Sequence, residues 1–488
     1  MEGEVAGLRI STDDLKNIQT KHVHLLVIPL CIKAISHVSA CFLLAVKLAK
    51  QGITVTFLTV EDTLSYIHSQ RSPEELQSLG IRLAIVEYDE SLLLQHPEWS
   101  PPVRLSWVLE RAVQPYFKKF ALDRASGVAD QPTCIMADFF CYWAQTRAEE
   151  LNLPNYVFYP SGANLARLHA AFPTLVSEGK VEVSADDKVI VTNAIVSVPG
   201  LPPLPSGELP KSLRQGPVSE ALNLAHELVK ATGIIINTFY EFEYTAIEPF
   251  MAACDSKMKV PKLFPIGPLA SAQTVTVPTG RQTEECMEWL DSQPASSVIY
   301  ICFGSKSNWT AQIVHELALA LEASNYRFLW VLNQKGFDFT SLAEVLPAQF
   351  QARVGERGRI ATFWVPQVKV LLHRAVSCFM SHCGWNSIME SVTSGVPMLC
   401  WPRQAEQHLN CRHIVDMVQA GVQIIVGDDG AAKQQEIERA LSIMMDEEDG
   451  KSIRKRMQDL KMKAAAAAAP GGSSSLAFQD LVEDMNCT

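Results

Sequence analysis

Positive charge is the first thing this 488-residue chain is short of: 42 Lys and Arg stand against 53 Asp and Glu, a formal net charge of −11. Nucleic acids and anionic membrane surfaces both reward a cationic partner, so neither is expected here, although a local basic pocket for a phosphorylated small molecule stays open. Cysteine pairs are missing too. Twelve cysteines are scattered through the chain without one Cys-x-x-Cys, which points to reduced thiols in a reducing compartment. Nor is there a long apolar run. The most apolar early stretch, 23–49, is broken by Pro29, Lys33 and His37, whereas a membrane-spanning helix needs about 20 nearly uninterrupted apolar residues. Residues 1–17 are polar and acidic, wrong for a signal peptide; a soluble, cytoplasmic protein is expected. A glycine-rich turn is absent after the first apolar run, since 29–37 contains no glycine. That excludes the G-x-G-x-x-G turn of a nicotinamide dehydrogenase.

What is present is an ordinary globular mixture, 48% hydrophobic and 19% charged, in a chain long enough for two or three domains of roughly 150 residues. Short apolar runs alternate with longer helical patterns. Strands are predicted at 23–30, 53–60, 134–137, 156–159 and 233–237, with a helix over 38–50 closed by Gly52. The proline-rich stretch 197–210 reads as an irregular loop and 260–268 as an interdomain connection. The alternation restarts with strands at 297–303 and 328–332, near Ile360, Cys378 and Met398, and at 422–426, with a helix over 312–324. The alanine run 464–469 reads as a terminal helix stopped by Pro470. The fold class is therefore α/β, with βαβ units around mainly parallel sheets in two domains, and ligands are expected at the carboxyl ends of strands, across the cleft.

The most informative stretch is 364–407, WVPQVKVLLHRAVSCFMSHCGWNSIMESVTSGVPMLCWPRQAEQ. Its centre reads as strand 378–381, a tight turn at 382–386 and a short helix 388–394 capped by Gly395. Such a turn offers free N–H groups and the positive end of a helix dipole to an anion, with His382, Asn386 and Ser387 adding donors. A phosphate or diphosphate is the natural guest. Two plainer readings compete: Ser387 to Glu390 also spells a capping box, and Trp364 alone would pass for a core aromatic. His408, Cys411 and His413 have loosely metal-like spacing, but without a fourth ligand they read as helix-face residues.

These 44 residues resemble the signature box of the plant UDP-dependent glycosyltransferases, the secondary-product family with the GT-B fold. The box features are WxPQ at 364–367, HCGWNS at 382–387, Glu390, GVP at 395–397 and the closing Glu406-Gln407. Other runs also resemble family segments: WLDSQPASSVIYICFGS (289–305), FLWV (328–331), LFPIGPL (263–269) and INTFYEFE (236–243). The resemblance implies two Rossmann-like α/β domains facing each other across a cleft: an acceptor-binding domain 1–256, a linker 257–275, a UDP-sugar domain 276–460, and a C-terminal helix in 461–488 packing back on the first domain. It implies that Trp364 stacks on uracil, that Gln367 lies by the ribose or base edge and that Glu390 accepts the ribose hydroxyls. His382, Asn386, Ser387 and Ser305 would hold the diphosphate, while Trp385, Glu406 and Gln407 read the sugar, a terminal Gln being the family's mark of glucose donors.

On the acceptor side a base must take the proton of the attacking hydroxyl, and an imidazole oriented by a buried carboxylate suits that task. The family places a histidine after the first strand and an aspartate at the end of a later one, the positions of His37 and Asp138. Around His37 the run Ala34 to Ala40 lacks the family's usual preceding Gly and following Asn-Pro. With no Asp-x-Asp pair in the chain, no cofactor or metal is expected. The expected activity is inverting transfer of glucose from UDP-glucose to a hydroxyl of a small lipophilic acceptor, phenolic or flavonoid in type, by a monomer. The alternatives are another UDP-sugar (galactose, xylose or glucuronate) or a weakly catalytic nucleotide-sugar-binding protein.

Overall fold

The computed structural model describes residues 22–192, 194–254, 261–269, 281–304, 310–332, 341–427, 430–446 and 448–487. The strands near the middle of each sheet are apolar runs buried on both faces, which is what a parallel sheet covered by helices on both sides requires. The first sheet contains β1 (His24–Ile28), β2 (Thr54–Thr59), β3 (Ile81–Ile85), β4 (Cys134–Asp138) and β5 (Asn155–Tyr159). A two-strand hairpin, β6 (Ile195–Val196) and β7 (Leu204–Pro205), stands apart, and β8 (Gly233–Ile236) and β9 (Lys262–Pro265) complete the sheet. Its order is β3-β2-β1-β4-β5-β8-β9, all parallel.

The second sheet is built from β10 (Val298–Cys302), β11 (Arg327–Val331), β12 (Gly358–Ala361), β13 (Val376–Ser381), β14 (Met398–Cys400) and β15 (Gly421–Gln423). Its order, β12-β11-β10-β13-β14-β15, is again parallel throughout. Alternation along the strands divides the core. Val298 and Tyr300 join one apolar cluster with Leu329, Phe379 and Ile388, while Ile299 and Ile301 join the other with Trp330, Met380 and Trp401. Each sheet therefore reverses its winding once, at β1/β4 and at β10/β13, and these switch points are where open α/β sheets leave a crevice.

Two sequence boundaries move. Residues 262–265, expected within the linker, form the edge strand β9, paired with β8 from Gly233↔Lys262 to Ile236↔Pro265. Proline at the flank and end of an edge strand forfeits no inner ladder bond, so Pro261 and Pro265 are compatible with it. The boundary expected at 460/461 falls inside one continuous helix, Glu448–Ala468, whose alanines are its last turns. That helix packs on Trp385–Ser394 of the second domain. The final helix, Ser473–Cys487, lies on β9, with Phe478, Leu481 and Met485 in the first domain's core and the Asp484 carboxylate accepting the Tyr156 hydroxyl at 2.7 Å. Among the described residues no helix is long and apolar enough to cross a membrane.

Candidate active site

The two strands at the first switch point deliver one side chain each. His37 stands in the first turn of helix Ile35–Ala49, just after β1, and Asp138 is the last residue of β4, which pairs with β1 as far as Ile28↔Ala137. Their side chains meet, Nδ1 of His37 lying 2.7 Å from Oδ2 of Asp138. The aspartate is wholly buried, whereas the imidazole is 20% exposed. Asp138 also accepts the Phe140 backbone N–H on Oδ1 at 3.0 Å, so both oxygens act as acceptors. A carboxylate that only accepts assigns the proton between it and the imidazole to Nδ1, which leaves Nε2 as the basic nitrogen. The rings of Phe139 and Phe140 flank the imidazole at centroid distances of 6.2 and 5.8 Å.

At the second switch point β13 ends at Ser381, and the turn His382-Cys383-Gly384 enters helix Trp385–Ser394 directly. The helix starts three residues before the predicted 388, Gly384 is its N-cap, and Gly395 closes it in the left-handed region at φ 76°. No side chain caps its start, so its first N–H groups and the positive dipole end are presented at the crevice together with Asn386. His382 is squeezed between glycines. A Cβ on Gly384 would sit 2.4 Å from its Nε2, and one on Gly304 2.9 Å from its Cε1. Burial and the nearby Arg403 push the His382 imidazole down to about 4, so it is neutral at pH 7. Its buried Nδ1 has no hydrogen-bond partner among the described residues. A buried polar atom left without a partner carries a desolvation penalty that an incoming polar ligand removes.

One turn along the helix is a second polar group. Gln367 donates through Nε2 to Glu390 at 2.6 Å and to Ser387 Oγ at 3.1 Å. Because the helix begins at Trp385, Ser387 is its third residue rather than its N-cap, and the capping-box reading of Glu390 does not hold. Burial raises the Glu390 carboxyl to about 7, against the hydrogen bond from Gln367. Ser387, expected to face a diphosphate, instead has its hydroxyl on Gln367. Trp364, three residues before Gln367, has 56% of its surface exposed, which disposes of the core-aromatic reading and leaves an indole face for a planar guest.

Glu406 and Gln407 close the site. Burial raises the Glu406 carboxyl, a shift opposed by a backbone hydrogen bond and by the charge of His37. Gln407 is buried, and its Oε1 accepts the backbone N–H groups of Arg403 and Gln404 at 2.9 and 2.8 Å. Two N–H partners require an acceptor, so the oxygen is assigned and the amide NH₂ is what remains to donate. Trp385 differs from expectation. Its indole is buried between the domains, with Nε1–H donating to the Asn237 carbonyl at 2.7 Å. Ser305 lies outside the described residues.

Glu243, quoted in sequence only as part of INTFYEFE, has a structural task. It is fully buried, accepts the N–H groups of Ala163 and Asn164 at 2.7 and 2.9 Å, and so caps helix Ala163–Ser177, whose own N-cap is Gly162. Burial lifts its carboxyl to about 7. Trp385 touches the same place: a Cβ on Gly162 would lie 2.4 Å from the indole and 2.6 Å from Glu243 Oε1. Arg412 on Glu208 at 2.8 Å and the His413 ring on the Phe242 carbonyl at 3.0 Å add further interdomain contacts. His413 is thereby separated from Cys411, whose sulfur instead meets Cys383 and Cys400.

Residues 256–461 match the family model described as UDP-glucoronosyl and UDP-glucosyl transferase. UDP-glycosyltransferase 72B1 of Arabidopsis thaliana is 34% identical over 359 residues, 71% of this chain and 73% of that protein. A malvidin galactosylase, UGT88C3 of Oryza sativa subsp. japonica, is 35% identical over 371 residues, 72% and 75% of the two chains. Among solved structures, a UDP-glucosyltransferase from Polygonum tinctorium capable of glucosylating indoxyl, in complex with 3,4-dichloroaniline, aligns with a TM-score of 0.82. It is 26% identical and covers 95% of this chain and 99% of its own.

Proposed function

Since the chain belongs to the plant UDP-glycosyltransferase family, we propose that it transfers glucose from UDP-glucose to a hydroxyl of a small lipophilic acceptor, with inversion at the anomeric carbon. Membership makes it a GT-B glycosyltransferase of the plant secondary-metabolism type that binds a UDP-sugar. The sugar, the acceptor and the mechanism are our reading. The observation that carries it is the 2.7 Å contact between His37 and Asp138 at the mouth of the first sheet, with a neutral His382 at the mouth of the second whose buried Nδ1 has no partner among the described residues.

In this reading the uracil stacks on Trp364 and the ribose hydroxyls are accepted by Glu390, which Gln367 holds in place. The diphosphate lies at the start of helix Trp385–Ser394, against His382 and Asn386. Nε2 of His37 takes the proton of the acceptor hydroxyl as its oxygen bonds to the anomeric carbon. The bond from that carbon to the diphosphate oxygen breaks, and its electron pair leaves with UDP. Asp138 keeps the imidazole in one tautomer and stabilises the imidazolium that forms. The departing charge meets N–H groups and a helix dipole that are already oriented, so the step as proposed needs no metal. Glu406 and the Gln407 amide donors would hold the sugar hydroxyls. We further propose a monomer, and a cytoplasmic one in keeping with the free thiols of the eleven cysteines whose side chains are described.

The Polygonum protein is a UDP-glucosyltransferase capable of glucosylating indoxyl, which supports glucose, while the relative named as a galactosylase makes UDP-galactose the necessary comparison. The test is UDP release with either donor and a panel of phenolics, flavonols and terpenoid alcohols. Faster turnover with UDP-glucose and a phenolic or flavonol, lost in His37→Ala, is the expected result. Turnover that survives this substitution would overturn the assignment of the base, and a clear preference for UDP-galactose would overturn that of the sugar.

A further inference from the structure

Directly behind the turn that faces the proposed donor diphosphate, three cysteine sulfurs converge. Cys383 Sγ, Cys400 Sγ and Cys411 Sγ all lie within 4.8 Å of one another, and all three residues are 0% exposed. Their positions in sequence conceal this, and the fold explains it. Cys400 ends β14 opposite Ser381, the last residue of β13. Two residues on, Cys383 has a left-handed backbone, φ 64°, which folds the turn back over the strand ends. Cys411 comes from helix Gln407–Arg412, which is tied to the same turn by Asn410 Nδ2 donating to the Cys383 carbonyl at 3.0 Å. Ordinary packing needs one thiol as a small apolar group, not three sulfurs facing one another.

We propose that Cys383, Cys400 and Cys411 form a trigonal binding site for a thiophilic divalent d10 cation such as zinc or cadmium, and that filling it weakens binding of the UDP donor. For zinc, bonds of ~2.3 Å to each sulfur in a trigonal plane put the sulfurs about 4.0 Å apart, and the larger cadmium ion sets them somewhat wider, both comparable with the 4.8 Å that bounds the present cluster. The balance is explicit: three thiols bind one divalent ion and release three protons, leaving one negative charge on the complex. Three bare thiolates would be untenable in so dry a place, whereas the cation offsets two of their charges. The remaining charge sits two residues before helix Trp385–Ser394, at its positive end. A donor diphosphate would use the same helix end in the proposed function, so the metal complex and UDP repel one another, and each weakens the other's binding by the same factor.

The site is tested with the full-length protein under reducing, then anaerobic, conditions, in a Cys487→Ser background because Cys487 is exposed. Cadmium alone is the probe. Expected are one tightly bound ion per chain, an ultraviolet thiolate-to-cadmium charge-transfer band, and three protons released per ion. Cys400→Ala and Cys411→Ala, checked for folding by their melting curves, should each weaken cadmium binding by at least ~10²-fold. The cadmium-loaded protein should bind UDP about tenfold more weakly. No band in the folded protein, or a band that survives both substitutions, would overturn the site. Unchanged UDP affinity in the loaded protein would overturn its coupling to the donor. Because cadmium binding is read without turnover, its failure is distinguishable from failure of the proposed transferase activity.

Discussion

His37 Nδ1 and Asp138 Oδ2 are 2.7 Å apart although 101 residues separate them. The contact exists because β1 and β4 are neighbours at the switch point of the first sheet, and the two side chains follow or end those strands. His37→Ala should lower glycoside formation by ~10²-fold or more, the usual scale of general-base catalysis. Asp138→Asn keeps the shape but lets the imidazole take the other tautomer. It should lower kcat by ~10²–10⁴-fold with little change in KM for UDP-glucose, and steady-state kinetics on both variants measures the split.

Trp364 is the most exposed tryptophan among the described residues, at 56%. If uracil covers it, Trp364→Ala should weaken UDP binding by ~1–3 kcal/mol, which is ~5–150-fold in Kd. Titration calorimetry reads this directly, and the indole fluorescence lost on UDP addition in the wild type should be largely absent in the variant.

Glu390 gives a pH dependence whose sign can be worked out. Burial holds its carboxyl at about 7 in the empty protein against an ordinary value of 4.5. The folded chain therefore binds a proton that the unfolded chain releases between those values, and this group's contribution to stability falls as pH rises through that window. If Glu390 accepts the ribose hydroxyls as proposed, it must do so as the anion, so UDP affinity should move the other way, falling by up to about tenfold per pH unit below 7. Glu390→Gln should flatten the profile between pH 5 and 8 and bind UDP weakly throughout; Kd measured against pH in both proteins checks this.

Gly162 tests the joint between the domains. An added methyl would meet the Trp385 indole at 2.4 Å and Glu243 at 2.6 Å. Gly162→Ala should lower stability by ~1–3 kcal/mol, as overpacking does. The melting temperature should fall, and UDP affinity with it, because the displaced indole begins the donor helix.

Much of this was legible in the sequence for identifiable reasons. His37 and Asp138 came from the resemblance, which places a histidine after the first strand and an aspartate at the end of a later one; the βαβ alternation told only where those strands end. The helix Trp385–Ser394 was visible in Gly384 and Gly395, but its start was misread by one turn: a Cys-Gly-Trp-Asn run resembles a turn, and tertiary packing of Trp385 overrides that preference. The same slip concealed the indole's task at the interface. Glu243 escaped notice because its partners, the N–H groups of Ala163 and Asn164, lie about 80 residues away and no local pattern announces a cap supplied from elsewhere. The cysteine cluster was hidden because its three members come from a turn, a strand and a helix.

The proposed proton acceptor stands on one sheet and the proposed donor-binding residues on the other, and Gly162, Glu243 and Trp385 meet where the two halves join. Such an arrangement lets each half drift separately. Loops after β1 to β5 can be rewritten for a new acceptor without disturbing the grip on the nucleotide, provided this small junction is left alone. Descendants of one ancestor can then diversify their products while keeping a common sugar supply.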